Sequence, residues 1–255
     1  MTLLGDSAHF ARLYDWEHDG YTADIGVLVA LAERWGGPVL ELACGTGRLL
    51  APLAAAGLVC TGVDASGAML ARARQRLERA GLQATLVEQR LEQLDIEGRF
   101  RTILLGLDSL GLIVPRADQL RALRAARRHA THDARLILDV ANGNLRGGAE
   151  PPSELVHDLT APDPDTGRPI TKWAVRRPNP AEQLDELLFI YDEQDSAGCV
   201  RRSTLELQLR WFGRFELQLL LEASGWAVEE EYGDYELSSY GGSSERLLVL
   251  ARAAA

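Results

Sequence analysis

Two glycines and two acids are spaced to hold a charged, hydroxyl-rich ligand. Gly45 and Gly47 close the run Val39-Leu40-Glu41-Leu42-Ala43-Cys44-Gly45-Thr46-Gly47. Glycine lets the main chain turn sharply and lets a ligand lie against bare backbone. Asp64 stands 19 residues after Gly45, at the end of a second apolar run, residues 58–63. An ionised carboxylate there can accept both hydroxyls of a ribose. A dinucleotide site would want a third glycine, in G-x-G-x-x-G, to seat a pyrophosphate. Leu50 stands there instead. Glu41, four residues before Gly45, would repel a pyrophosphate and suits an ammonium group or the loop that holds one.

The pattern Glu41-Leu42-Ala43-Cys44-Gly45-Thr46-Gly47, followed by Gly62-Val63-Asp64-Ala65-Ser66, resembles the class I S-adenosylmethionine (SAM)-dependent methyltransferases. The resemblance implies SAM as cofactor and S-adenosylhomocysteine as product. Its aminocarboxypropyl arm would lie on the glycine loop, at Glu41, Ala43, Gly45, Thr46 and Gly47, and its ribose on Asp64. Further contacts are expected at Ala65, Met69, Leu91, Glu92 and Leu107. Relatives often carry G-D-x-x-D-L after the third strand, with an acid on the adenine. Arg90 and Gln93 replace those acids here, which leaves Glu92 or backbone groups at Arg90 and Leu91. Relatives also commonly read N-S-L-x-H-L after the fourth strand. Asp108 takes the asparagine position and Gly111 the histidine position, so that histidine is missing. An N-terminal lid helix often presents a tyrosine near the methyl group. Tyr14 matches it; the bland alternative is a core aromatic.

A sulfonium methyl group is already activated, so the acceptor attacks in line in one displacement. The protein must hold nucleophile and methyl close and collinear, worth roughly 7–11 kcal/mol. For a hydroxyl or ammonium acceptor it must also remove a proton. The catalytic candidates are Tyr14, Asp108 and His157, with Asp139 as a further base. His157 lies in an inserted segment, where it could equally be a strand surface residue.

The elements that must position these groups follow from apolar periodicity. His9, Phe10, Leu13 and Tyr14 fit a short helix, and residues 24–34 a second. Strands are expected at 39–43, 58–63, 84–88, 101–107 and 134–140. Ser66 caps a helix to about residue 80, and Pro115 opens another. Arg72, Arg74, Arg76 and Arg79 suggest a phosphate patch, but a solvated helix face explains them more simply. From Glu150 onward, prolines punctuate four period-two runs, 153–160, 170–177, 183–192 and 200–210. These read as antiparallel strands. A helix at 212–224, with Phe215, Leu217, Leu220 and Leu221 on its apolar face, precedes strands at 226–232 and 246–251. The fold class is α/β, with a doubly wound seven-stranded sheet. The resemblance implies the order 3-2-1-4-5-7-6, strand 7 antiparallel. A small antiparallel sheet is inserted after strand five. The expected division is 1–149 for lid helices and SAM-binding core, 150–210 for the insertion, and 211–255 for the end of the core. The insertion is expected to roof the site and to pair two subunits as a homodimer.

Composition narrows the partners. The 255 residues are 46% hydrophobic, enough for a sizeable core. With 27 basic and 37 acidic residues the net charge is −10, which disfavours nucleic acid and anionic membrane. No 18-residue apolar span occurs, and the three cysteines, Cys44, Cys60 and Cys199, have no disulfide or metal spacing. The expected compartment is the cytoplasm, and the expected partner a small-molecule acceptor methylated on N or O. The rivals are a nucleotide-dependent oxidoreductase of Rossmann topology, a nucleic-acid methyltransferase, and a SAM-binding protein without catalysis. No N-P-P-Y or D-P-P-Y run follows strand four to stack a flipped base.

Overall fold

The computed structural model describes residues 7–146 and 154–254. The expected division at 149/150 and the expected strand start at Ser153 lie outside the described residues.

Val39–Leu42 forms the interior strand β1, buried at every position. It pairs in parallel with β2, Cys60–Asp64, and with β4, Phe100–Leu105. Beyond β2 lies β3, Thr85–Glu88, and beyond β4 lies β5, Ala130–Ala141. With β10, Trp226–Tyr232, and β11, Arg246–Ala253, the sheet order is β10-β11-β5-β4-β1-β2-β3. The penultimate β11 runs antiparallel to both neighbours. This is the expected order, with β10 and β11 as its sixth and seventh strands.

Side chains alternate across a strand, so one sequence feeds two cores. Leu40, Leu42, Ile103, Leu105, Leu136 and Leu138 pack on one face, beneath α5, Arg116–Arg128, and α7, Arg214–Ala223. Val39, Cys60, Leu104, Ile137 and Leu248 pack on the other, with α2, Ile25–Trp35, α3, Leu50–Ala55, and Leu77 of α4, Gly67–Arg79. Both faces are covered, as parallel strands require. A short α6, Gly143–Arg146, follows β5. Helix α7 corrects one expectation. Leu217 and Leu221 are buried one turn apart, but Phe215 is 70% exposed. The helix meets the core through Leu217, Leu221 and the half-buried Leu220, and Phe215 and Leu219 face outward.

The insertion is a four-stranded antiparallel meander in the order β6-β7-β8-β9. Its strands are β6, Val156–Pro162, β7, Pro169–Asn179, β8, Leu184–Gln194, and β9, Val200–Arg210. Helix α1, Ala8–His18, lies between this sheet and the core. Leu13 and Trp16 pack on Ile170, Tyr191 and Leu205 of the sheet. Arg12 pairs with Asp163 and Glu193 of the sheet. On the core side, Asp15 pairs with Arg72 and Arg76 of α4, and Asp19 with Arg76. Two of the four arginines on that helix face therefore clamp the lid rather than bind phosphate. No described helix is long and apolar enough to cross a membrane.

Candidate active site

Because β1 and β2 are parallel neighbours, their carboxyl ends lie side by side. The loops that leave them are stapled by Asp64. The Gly45 N–H donates to Oδ2 at 2.9 Å, and the Ser66 N–H donates to Oδ1 at 2.9 Å. Burial raises the Asp64 carboxyl above its ordinary range, and the N–H donors of Ser66, Gly45 and Ala65 hold it back. Ser66 caps α4 through its hydroxyl, which accepts from the Met69 N–H at 3.3 Å. Gly45 has φ +54°, the left-handed region, and a side chain there would first meet Tyr14 Cε1 at 3.9 Å.

Above this loop opens a cavity of about 480 Å³. Its core-side wall holds Tyr14, Ala43, Gly45, Asp64, Ala65, Met69, Leu91, Glu92, Leu107 and Asp108. The structure thus brings together most of the expected residues. It leaves out Glu41, Thr46, Gly47 and His157. Glu41 is buried within β1, with no partner for Oε2, and burial pushes its carboxyl up to about 8. Thr46 is 1% exposed, with Oγ1 likewise unpartnered. Gly47 packs against Ala73 of α4. His157 is exposed on the edge strand β6, 2.8 Å from Thr160 Oγ1 and edge-on to Trp173. That removes it as a base for anything in this cavity.

The loop after β4 is held in an unusual shape. Leu107 and Asp108 adopt φ +47° and +59°, which ends the strand at Leu105, two residues before the expected end. Left-handed backbone is costly for a leucine and needs support. Asp139 supplies it: Oδ2 accepts from the Leu107 N–H at 3.0 Å, and its carbonyl accepts from the Asp108 N–H at 3.1 Å. Arg246 donates to Asp139 Oδ1 at 2.8 Å, and Tyr235 to Oδ2 at 2.9 Å. Asp108 accepts from the Ala141 N–H through Oδ1 and from Arg246 through Oδ2. Both acids offered as bases are thereby engaged in shaping the loop, and Asp139 is fully buried. Gly111 is equally constrained. A Cβ there would lie 2.4 Å from the Arg210 carbonyl of β9, so no histidine fits.

Beyond β3, Arg90 and, on a 3₁₀ turn at Leu91–Gln93, Leu91 and Glu92 line the cavity, with Arg90 ion-paired to Glu92. Asp118 of α5 faces the same space.

The insertion was expected to roof the site, but its individual roof residues were not singled out from the sequence. Leu187, Phe189 and Tyr191 of β8 and Leu205, Leu207 and Leu209 of β9 close the cavity from above. Glu17 and His18 were missed too. They follow Tyr14 by three and four residues, the spacing that shares a helix face. Tyr14 and His18 stack, with ring centroids 4.1 Å apart and planes at 15°. Burial pushes the Tyr14 phenol up to about 12, so it stays protonated.

Residues 39–133 match the family described as methyltransferase domain. This is a class I methyltransferase fold. A Bacillus subtilis (strain 168) candidate methyltransferase, YqeM, is 30% identical over 104 residues, 41% of this chain and 42% of that one. The chain therefore matches under half the length of this curated relative. Among solved structures, the CcbJ methyltransferase from Streptomyces caelestis superposes with a TM-score of 0.82 at 24% identity, covering 100% of this chain and 99% of that one. A SAM-dependent methyltransferase from Clostridium acetobutylicum also gives 0.82, at 18% identity and coverage of 97% and 98%. The sugar N-methyltransferase KedS8 from a Streptoalloteichus species gives 0.75, at 21% identity and coverage of 95% and 93%. SAM is the cofactor named for the Clostridium structure. The site fits it: an open glycine cradle, a carboxylate at the end of β2, and a cavity leading away from both.

Asp64→Ala should weaken SAM binding by about 1.5–3 kcal/mol, the worth of hydrogen bonds to a charged group, or roughly ten- to a hundredfold. Because Asp64 also staples two loops, the same change should lower the melting temperature of the protein without SAM. Asp64→Asn keeps one acceptor oxygen and should lose less of both. Calorimetry and thermal melts read the two effects separately. A destabilised variant that binds SAM at full strength would refute the ribose contact.

Proposed function

We propose that this protein transfers the methyl group of SAM to a nitrogen or oxygen atom of a small molecule held under the inserted sheet. One observation carries the reading. A single cavity runs from the glycine cradle, past Tyr14, to an apolar chamber roofed by Leu187, Phe189, Leu205 and Leu207. SAM supplies a methyl group activated on a sulfonium. The residues bind, orient and exclude water: Gly45 and Asp64 hold the cofactor, Leu107 and Asp108 form the shaped loop beneath the transfer point, and Tyr14 on α1 covers it. Arg90, Leu91 and Glu92 border the adenine. Glu41 and Thr46 support the cradle from beneath.

Carboxylates on the cavity wall, Glu17, Asp108 and Asp118 among them, favour an acceptor that donates hydrogen bonds. The likeness to KedS8, described as a sugar N-methyltransferase, agrees with an amine. The net charge of −10 supports a small molecule over nucleic acid, and the buried free thiols Cys44 and Cys60 support the cytoplasm as compartment. In the same reading two copies pair through the exposed side of the inserted sheet, and a sedimentation mass equal to one chain would remove that pairing.

The test is incubation with methyl-labelled SAM and extract of the producing cell, followed by mass analysis. Label should appear in a small molecule. SAM bound but never consumed would make the chain a non-catalytic SAM-binding protein.

A further inference from the structure

His18 is the last residue of α1, and its ring faces the cavity beside Tyr14. Nδ1 lies 3.0 Å from the carbonyl oxygen of Tyr14. A carbonyl only accepts, so Nδ1 carries the proton and donates it. In the neutral ring, Nε2 is then left with a lone pair. Among the described residues Nε2 has no hydrogen-bond partner. Its nearest acid, Glu17 Oε1, is 3.9 Å away, too far for a hydrogen bond. The Glu17 carboxylate also lines the cavity. It is fixed from behind by the Lys172 ammonium and by the Tyr191 hydroxyl, which donates to Oε2 at 3.2 Å. Two acceptors therefore face the same cavity, a helix turn from the Tyr14 ring beside the glycine loop.

Resting on the methyl-transfer reading above, we infer that His18 is the proton acceptor of this site and that the acceptor substrate is a primary or secondary amine on an apolar frame. An N–H of the amine donates to His18 Nε2. In a primary amine the second N–H donates to Glu17. The nitrogen lone pair remains for the methyl group. The frame lies against Phe189, Leu187 and Leu205. The amine reacts uncharged, because an ammonium has no lone pair with which to attack. In the displacement, the nitrogen lone pair forms the N–C bond while the C–S bond breaks, and sulfur keeps that electron pair. The proton that the methylated nitrogen sheds passes to Nε2, and the N–H pair stays on nitrogen. The resulting imidazolium stands beside Glu17.

The groups facing His18 are Tyr14 and Glu17 from its own helix, Lys172 from β7 and Arg48 from the loop after β1. Burial is the largest influence on the ring and lowers its pKa below 6.5, with Lys172 and Arg48 adding to that and Glu17 opposing it. The ring is thus uncharged at neutral pH, with Nε2 free to accept a hydrogen bond.

The test uses the full chain saturated with S-adenosylhomocysteine, so that no turnover occurs. The probes are cyclohexylamine and cyclohexanol, one frame with two polar groups. Nitrogen NMR of His18 should show the Nδ1–H tautomer alone, and cyclohexylamine should shift the Nε2 resonance more than cyclohexanol does. His18→Leu should raise the dissociation constant of cyclohexylamine roughly tenfold, the loss of one hydrogen bond. His18→Gln, which restores an acceptor atom, should recover part of it. S-adenosylhomocysteine affinity should fall far less than amine affinity in both, since the His18 ring reaches the cofactor end only through its stack on Tyr14. An Nε2–H tautomer, no Nε2 shift at 100 mM cyclohexylamine, or equal amine binding in all three proteins would overturn the assignment. Failure of wild type to bind S-adenosylhomocysteine would instead overturn the methyl-transfer reading.

Discussion

Gly45→Val should leave the protein folded and abolish SAM binding. Two effects combine at this position. The backbone is left-handed, with φ +54°, which a β-branched residue adopts only under strain. The new side chain would also project toward Tyr14 Cε1, into the space between the glycine loop and the lid. Strain alone should cost about 1–2 kcal/mol, which for a chain of this size lowers the melting temperature by a few degrees, about 2–4 °C per kcal/mol. The lost cradle should push SAM affinity down more than about a hundredfold, beyond what strain accounts for. Gly81→Val is the control. Gly81 has φ +65° at the end of α4, with nothing within 4 Å of an added Cβ. It should show the same loss of stability with SAM affinity intact. Unchanged affinity in Gly45→Val, measured by calorimetry on a protein with native circular dichroism, would remove the cofactor from this loop.

Glu41→Gln should change how stability depends on pH. Glu41 is 7% exposed in β1, and burial pushes its carboxyl from 4.5 to about 8. Asp24 and Asp64 push the same way, and Arg48 opposes them. The unfolded chain loses this proton near pH 4.5 and the folded chain near pH 8, so between the two the folded state binds more protons. The contribution to stability is therefore full below pH 4.5 and is lost as pH rises toward 8. The slope is about 1.4 kcal/mol per pH unit in the middle of that window. Glutamine cannot ionise and should remove this slope. Asp64 and Asp139 shift in the same direction, and His9 and His18 in the opposite sense, so the informative quantity is the difference between variant and wild type. Urea unfolding across pH 5 to 8 should show the glutamine protein gaining on wild type at each step. A constant difference would mean that Glu41 is already ionised at pH 5, for example through a bound water at its unpartnered Oε2.

The frame and the cofactor end of the site follow from local sequence. Val39 to Gly47 combines a buried strand with residues whose backbone must turn, and Cys60 to Ser66 combines a strand with a carboxylate and a helix cap. Those are local properties, readable from apolar spacing and side-chain chemistry, and a parallel pairing of the two strands brings Gly45 and Asp64 together without further information. Near-continuous apolar runs such as 39–43 and 101–107 are the pattern of strands buried on both faces. Tyr14 was legible as well, through the resemblance.

What the sequence did not determine is which polar groups remain available for chemistry. Asp108 looked like a base until Arg246, 138 residues away, and the Ala141 N–H were found on its two oxygens. His157 and His18 are indistinguishable as letters. One lies on an edge strand facing outward, and the other ends a helix that is held against both the core and the inserted sheet. Gly111 reads as a missing histidine, yet β9 passes 2.4 Å from where its Cβ would sit. The end of β4 shifted for the same reason, since Asp139 holds Leu107 and Asp108 in a shape their own preferences disfavour. Local pattern specifies backbone geometry and one buried face. The partners of a charge or an imidazole depend on docking between segments far apart in the chain, and only the folded arrangement of α1, the core and the inserted sheet decides them.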